Sequence, residues 1–181
     1  MIENTPPEGR SRRARSAAGD TPAAAARAPR TLSEAREAFV AAIARDTPGA
    51  DRSRLVKVLD ALIAWSVARR SSLAFRTDEK RADVLAFARV ATGDVFWSAL
   101  AARDATPTLE IHLPPGRPNG AEDRATVMQT LNAHSRVVLV EGDRLRIGFG
   151  ALKNEAARAA VLAVMRTLLT DGTDSGEPRS D

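Results

Sequence analysis

The chain has 181 residues, a formal net charge of +4, no cysteine and no tyrosine. That length suits one domain, and a body of about 140 residues buries enough surface to fold without a disulfide or metal. The missing thiol excludes disulfide frameworks, thiol catalysis, iron–sulfur clusters and thiolate zinc sites, and no apolar run approaches the ~20 residues of a membrane span.

The charge is unevenly spread. Residues 1–30 hold six arginines against three acids, and residues 171–181 hold four acids against one arginine. Both ends are poor in periodic apolar positions and read as disordered tails around a domain at 31–170. The amino end has acids among its arginines and does not read as a secretory leader, so the cytoplasm is the expected location. The run Arg10, Arg12, Arg13 and Arg15 would serve as an arm for nucleic acid or an acidic partner, although such charge blocks are more often simply solvated.

Thr31-Leu32-Ser33-Glu34 has the spacing of a capping box. A helix then carries Leu32, Ala35, Phe39, Ala42 and Ile43 inward as far as Arg45. Pro48 and Gly49 break it, and Asp51 is the expected cap of a second helix through Leu55, Val58, Leu59, Leu62, Ile63 and Trp65 to about Arg70. A short strand over residues 72–76 follows. From Val84 the pattern changes to period two. Val84, Ala86, Ala88 and Val90 share one face and Leu85, Phe87 and Arg89 the other, with a turn at Thr92-Gly93-Asp94. On the returning strand Val95, Trp97 and Ala99 share a face opposite Phe96, Ser98 and Leu100. Leu109, Ile111 and Leu113 then alternate with Glu110 and His112.

A proline- and glycine-rich loop at 114–120 leads to a third helix at about 121–132. Val138 and Val140 alternate with Val137 and Leu139 before a Gly142-Asp143 turn. Leu145, Ile147 and Phe149 then face inward against Arg144, Arg146 and Gly148. Asn154 caps a closing helix with Ala157, Ala160, Val161, Val164, Met165 and Leu168 on its buried face. The expected fold is α+β: an N-terminal helical hairpin on an antiparallel sheet of five or six strands, with one inserted and one C-terminal helix.

Three constellations carry possible chemistry. Gly148, Gly150, Lys153 and Asn154 join a strand to a helix and would suit an anion, but match neither a phosphate-loop nor a dinucleotide fingerprint. Glu110 and His112 share one strand face, as acid–base work would need, yet no spacing recruits a metal or a third catalytic group. Arg144 and Arg146 face outward, with Arg89 considered for a nearby outward face. They would meet phosphates, or else pair with Glu110 or Glu141. Trp65, Trp97 and Phe149 read as core, leaving no aromatic platform for bases.

These patterns call for no cofactor and assign no catalytic residue. The expectation is a non-catalytic protein-binding or adaptor module, its partner another protein and not a membrane. The alternative is nucleic-acid binding through the arm with Arg144 and Arg146. Third comes a small enzyme or anion-binding domain near Glu110, His112 and Lys153.

Overall fold

The structure is a computed structural model that describes residues 31–77, 83–101, 106–113, 125, 128–133, 138–141 and 143–170. The arm with Arg10, Arg12, Arg13 and Arg15, the acidic carboxy end, the 114–120 loop, the start of the third helix and Gly142 lie outside these residues.

The chain begins with α1 (Leu32–Asp46), entered through the expected capping box: the Thr31 hydroxyl accepts from the Glu34 amide, and the Glu34 carboxylate accepts from the Thr31 amide. Helix α2 (Gly49–Val67) follows after two residues. Its N-cap is Pro48, not Asp51, which lies in the first turn. Pro48 lacks the amide that a helix start leaves unpaired anyway, so the break needs only Thr47 and Pro48. Arg36 and Asp60 tie the two helices together with a forked ion pair at 2.7 and 2.9 Å.

Strands β1 (Leu73–Arg76), β2 (Val84–Arg89), β3 (Val95–Leu100) and β4 (Thr108–His112) form an antiparallel meander. A third helix, α3, is described over residues 128–132. Strand β5 (Val138–Glu141) lies at the far edge, and β6 (Arg144–Gly148) returns between it and β4. The sheet order is therefore β1-β2-β3-β4-β6-β5, all neighbours antiparallel, with β4 and β5 running the same way. The short helix α4 (Phe149–Leu152) and α5 (Glu155–Thr170) complete the fold. Among the described residues no helix is long and apolar enough to cross a membrane. The architecture is the α+β arrangement that the sequence predicts.

One sheet face meets the helices. Leu85, Phe87, Trp97, Leu109, Ile111, Leu145 and Ile147 point into a core shared with Phe39, Leu59, Leu62 and Met165. Trp97 is its centre. It is fully buried, stacks on Phe87 with centroids 5.1 Å apart, and donates its indole N–H to the Ser66 hydroxyl at 2.9 Å. Ser66 in turn donates to the Leu62 carbonyl at 3.0 Å, so this buried polar relay is closed.

Two strand expectations are corrected here. Phe87 pairs with Trp97 but Ala88 pairs with Val95, so Phe96 is the extra residue of a β-bulge. The bulge turns Phe96 to the same side as Trp97, where it is fully buried in the core. Phe149 leaves the strand: its amide bonds the Pro107 carbonyl at 2.7 Å as α4 begins. It keeps its inward position against Phe39, with centroids 6.0 Å apart.

Candidate functional site

On the outward sheet face, strand register sets side chains in rows. One row reads Arg76, Ala86, Ser98, Glu110 and Arg146 across β1, β2, β3, β4 and β6. Because Glu110 stands directly opposite Arg146, Nε and Nη2 of that arginine reach its Oε1 at 2.9 and 2.6 Å. Arg144 approaches Oε2 at 3.8 Å from the next outward position. Glu110 is only 4 % exposed, while both arginines extend toward solvent. A carboxylate held this way acts as counter-charge to two cations.

His112 is half-buried one position along the same face, opposite Arg144. Burial, then the Arg144 charge, pushes its pKa below the ordinary 6.5, with Arg89 adding to the effect; Glu110 and Asp143 pull the other way.

The glycine turn is engaged elsewhere. Lys153 donates to Asp51 at 3.0 Å, linking the start of α2 to the α4–α5 junction. The Asn154 side-chain oxygen accepts from the Ala156 and Ala157 amides at 2.9 and 3.2 Å, capping α5 as predicted. A side chain at Gly148 would meet open space, and one at Gly150 only the Thr106 methyl at 3.8 Å. Neither glycine guards a close approach. The structure thus brings Glu110, Arg144, Arg146 and His112 together, and holds Lys153 with Asp51 on the helical side.

A different cluster sits where the end of α2 meets the β2–β3 turn. Trp65 and Phe96 stack with centroids 6.4 Å apart and planes 19° from parallel. The Arg69 guanidinium lies 4.2 Å from the Trp65 ring centre and donates to the Trp65 carbonyl at 2.8 Å. The Arg89 guanidinium lies 4.7 Å from the Phe96 ring centre. Arg89 is therefore on the helix side of the sheet, with Leu85 and Phe87 as its phase predicts, and not on the outward face considered for it beside Arg144 and Arg146. The backbone knits this corner together: Ser72 N–H donates to Arg69 O, and Val90 N–H donates to Ser72 O, at 2.8 and 2.9 Å. Arg76 joins from the outward face by donating to Gly93 O at 2.8 Å. Gly93 itself holds a φ of +76°, which the turn requires.

The corner is unusual in two ways. The exposed large hydrophobic residues among those described are Val67 at 48 %, the last residue of α2, and Val90 at 53 %, the first residue after β2. It also leaves buried donors without partners: Trp65 Nε1, Arg89 Nε and Arg89 Nη2. Elsewhere among the described residues only Arg52 Nε is in that condition, and its Nη2 still reaches the Ala44 carbonyl at 3.1 Å. Each such donor costs about 1–3 kcal/mol while no acceptor meets it. Burial pushes the Arg89 guanidinium below its ordinary pKa range, and Asp94 only partly offsets this.

The signal for Arg89 was present in its phase. It follows Leu85 and Phe87 at period two, so the sheet sets a permanent cation at an inward position. Arg69 lies four residues after Trp65, one helical turn on, where side chains meet.

Among the described residues no three histidines, aspartates or glutamates gather as a metal site would require. Comparison with protein-family models, with curated proteins and with solved structures finds no match to this chain.

Proposed function

We propose that the chain is a non-catalytic protein-binding module, acting in the cytoplasm, whose partner is an acidic protein docking on the Trp65–Val90 corner. The observation that carries this reading is that Val67 and Val90 are exposed and apolar at the ends of α2 and β2, the same stretches of chain whose Arg69 and Arg89 stack on aromatic rings. Residues 65–76 and 89–94 contain Arg69, Arg70, Arg76 and Arg89 against the single acid Asp94. Apolar anchors ringed by one sign of charge favour a partner with the opposite sign. The outward arginines Arg144 and Arg146 already face Glu110, which weakens their claim on phosphates.

A photo-cross-linker at Val67 or Val90 of the full chain identifies candidate partners, and affinity is then measured with the purified partner. Val67→Asp together with Val90→Asp should weaken binding at least tenfold, while Arg144→Ala with Arg146→Ala should leave it nearly unchanged. The proposal is overturned if no protein binds in a manner that depends on Val67 and Val90. It is equally overturned if nucleic acid is the bound species, with affinity falling steeply as salt rises.

A further inference from the structure

We infer that Arg89, assisted by the Trp65 indole, is a carboxylate receptor that takes the side chain of a glutamate or aspartate flanked by apolar residues on the partner. This deepens the docking proposed above and rests on it for the partner, but the receptor itself has its own observations. Arg89 Nε and Nη2 form one edge of a planar guanidinium, the edge that matches the two oxygens of a carboxylate. Neither has an acceptor, and Trp65 Nε1 on the neighbouring ring has none either.

One flat face of the Arg89 guanidinium is already occupied. It rests on Phe96, which is held from α2 by Trp65, so the arginine's position is set before any ligand arrives. Asp94, the acid nearest in charge effect, makes no ion pair with it; the Asp94 amide and carbonyl serve the turn instead, through Thr92 Oγ1 and Arg89 N. Val90, next to Arg89 in the chain, is exposed and apolar, and suits an apolar residue beside the acid. The donors are shielded from solvent, so binding requires a shift of the 90–94 turn, all of whose residues are exposed, while the arginine stays on Phe96.

The test uses the full chain labelled with 15N at arginine and tryptophan side chains, and two peptides as probes. One is acetyl-Leu-Glu-Leu-amide; the other replaces Glu with Gln. The Glu peptide should move the Arg89 Nε–H and Trp65 Nε1–H resonances downfield in a saturable way. The Gln peptide should move neither, and Asp94→Asn should leave the response intact or strengthen it. Arg89→Gln, checked for an unchanged fold by its remaining spectrum, should abolish the Trp65 response. The inference is overturned by equal responses to the two peptides or by no response up to the solubility limit. Response to inorganic phosphate without response to the Glu peptide also overturns it, by assigning the donors to a phosphate. An Arg89 resonance already downfield in the free chain, and restored to the ordinary position by Asp94→Asn, would assign them to Asp94. Failure here with intact dependence of partner binding on Val67 and Val90 removes the receptor and leaves the docking site. The converse result removes the docking site alone.

Discussion

The two tryptophans lie in regions built to different standards. At the centre of the core, Trp97 donates to Ser66, Ser66 donates to Leu62, and strands pack on both sides of the ring. At the corner, Trp65 is also largely buried, adjacent in sequence to Ser66, yet its indole N–H meets nothing. The difference follows from what surrounds each ring. Trp97 is enclosed by β2, β4 and α2, so one of its neighbours can be matched to its donor. Trp65 is on the last turns of α2, where the chain leaves the helix; Phe96 stacks on it, Arg69 lies over its ring, and neither offers its indole an acceptor. A folded chain can leave donors unmatched where its own elements run out, and an outside acceptor then gains most by supplying them.

The largest expected effect tests the centre. Trp97→Ala removes a fully buried ring that stacks on Phe87 and leaves Ser66 without its donor, and should cost about 3–5 kcal/mol of folding stability by chemical denaturation. A variant that melts with the parent would place Trp97 outside the core and break the comparison at once. A smaller effect sharpens it. Trp97→Phe loses a hydrogen bond made in the folded state, about 1 kcal/mol, besides the lost ring volume. Trp65→Phe removes a donor that has no partner, so it should be the milder change by about 1 kcal/mol or more. Equal losses in the two variants would mean that the Trp65 indole is satisfied in solution.

The same contrast separates what is legible in the sequence from what is not. Period-two alternation identifies Leu109, Ile111, Leu145 and Ile147 as inward because each strand is apolar on one side only. The Thr31 capping box and the Asn154 cap are equally plain, since both depend on residues within one turn. Phe96 is not legible: it stands beside Trp97 in an apolar stretch, and alternation alone cannot say that one strand carries an extra residue. Arg89 is legible only in part for a related reason. Charge argues for the outside, phase for the inside, and the decision rests on Phe96, which the bulge moves. For Arg144 and Arg146 the sequence leaves Glu110 and Glu141 both open as destinations. The placement of β6 between β4 and β5 sets Glu110 opposite Arg146, a matter of topology that no local pattern contains. Lys153 bonds Asp51, 102 positions earlier, a partner that no local pattern names.

The smallest expected effect reads the electrostatic reach of the corner from the other side of the sheet. His112 is protonated less readily in the folded chain than in the unfolded one, first through burial, then through Arg144, with Arg89 contributing. A depressed histidine pKa means that the unfolded chain binds more protons as pH falls through the ordinary value of 6.5. Stability should therefore be unaffected by His112 above that value. It should decline as pH drops from there toward the depressed folded value, and level off for this group below it. His112→Gln should flatten that part of the stability curve and leave the neutral-pH end nearly unchanged. Because Arg89 is one of the cations holding the pKa down, Arg89→Gln should raise the His112 pKa slightly, as read by the imidazole carbon protons during an NMR titration. A carboxylate bound at Arg89 should do the same by neutralising its charge. If His112 titrates identically with Arg89 present, absent and occupied, the corner and the outward face are electrostatically separate, and the response to acid belongs to Arg144 and burial alone.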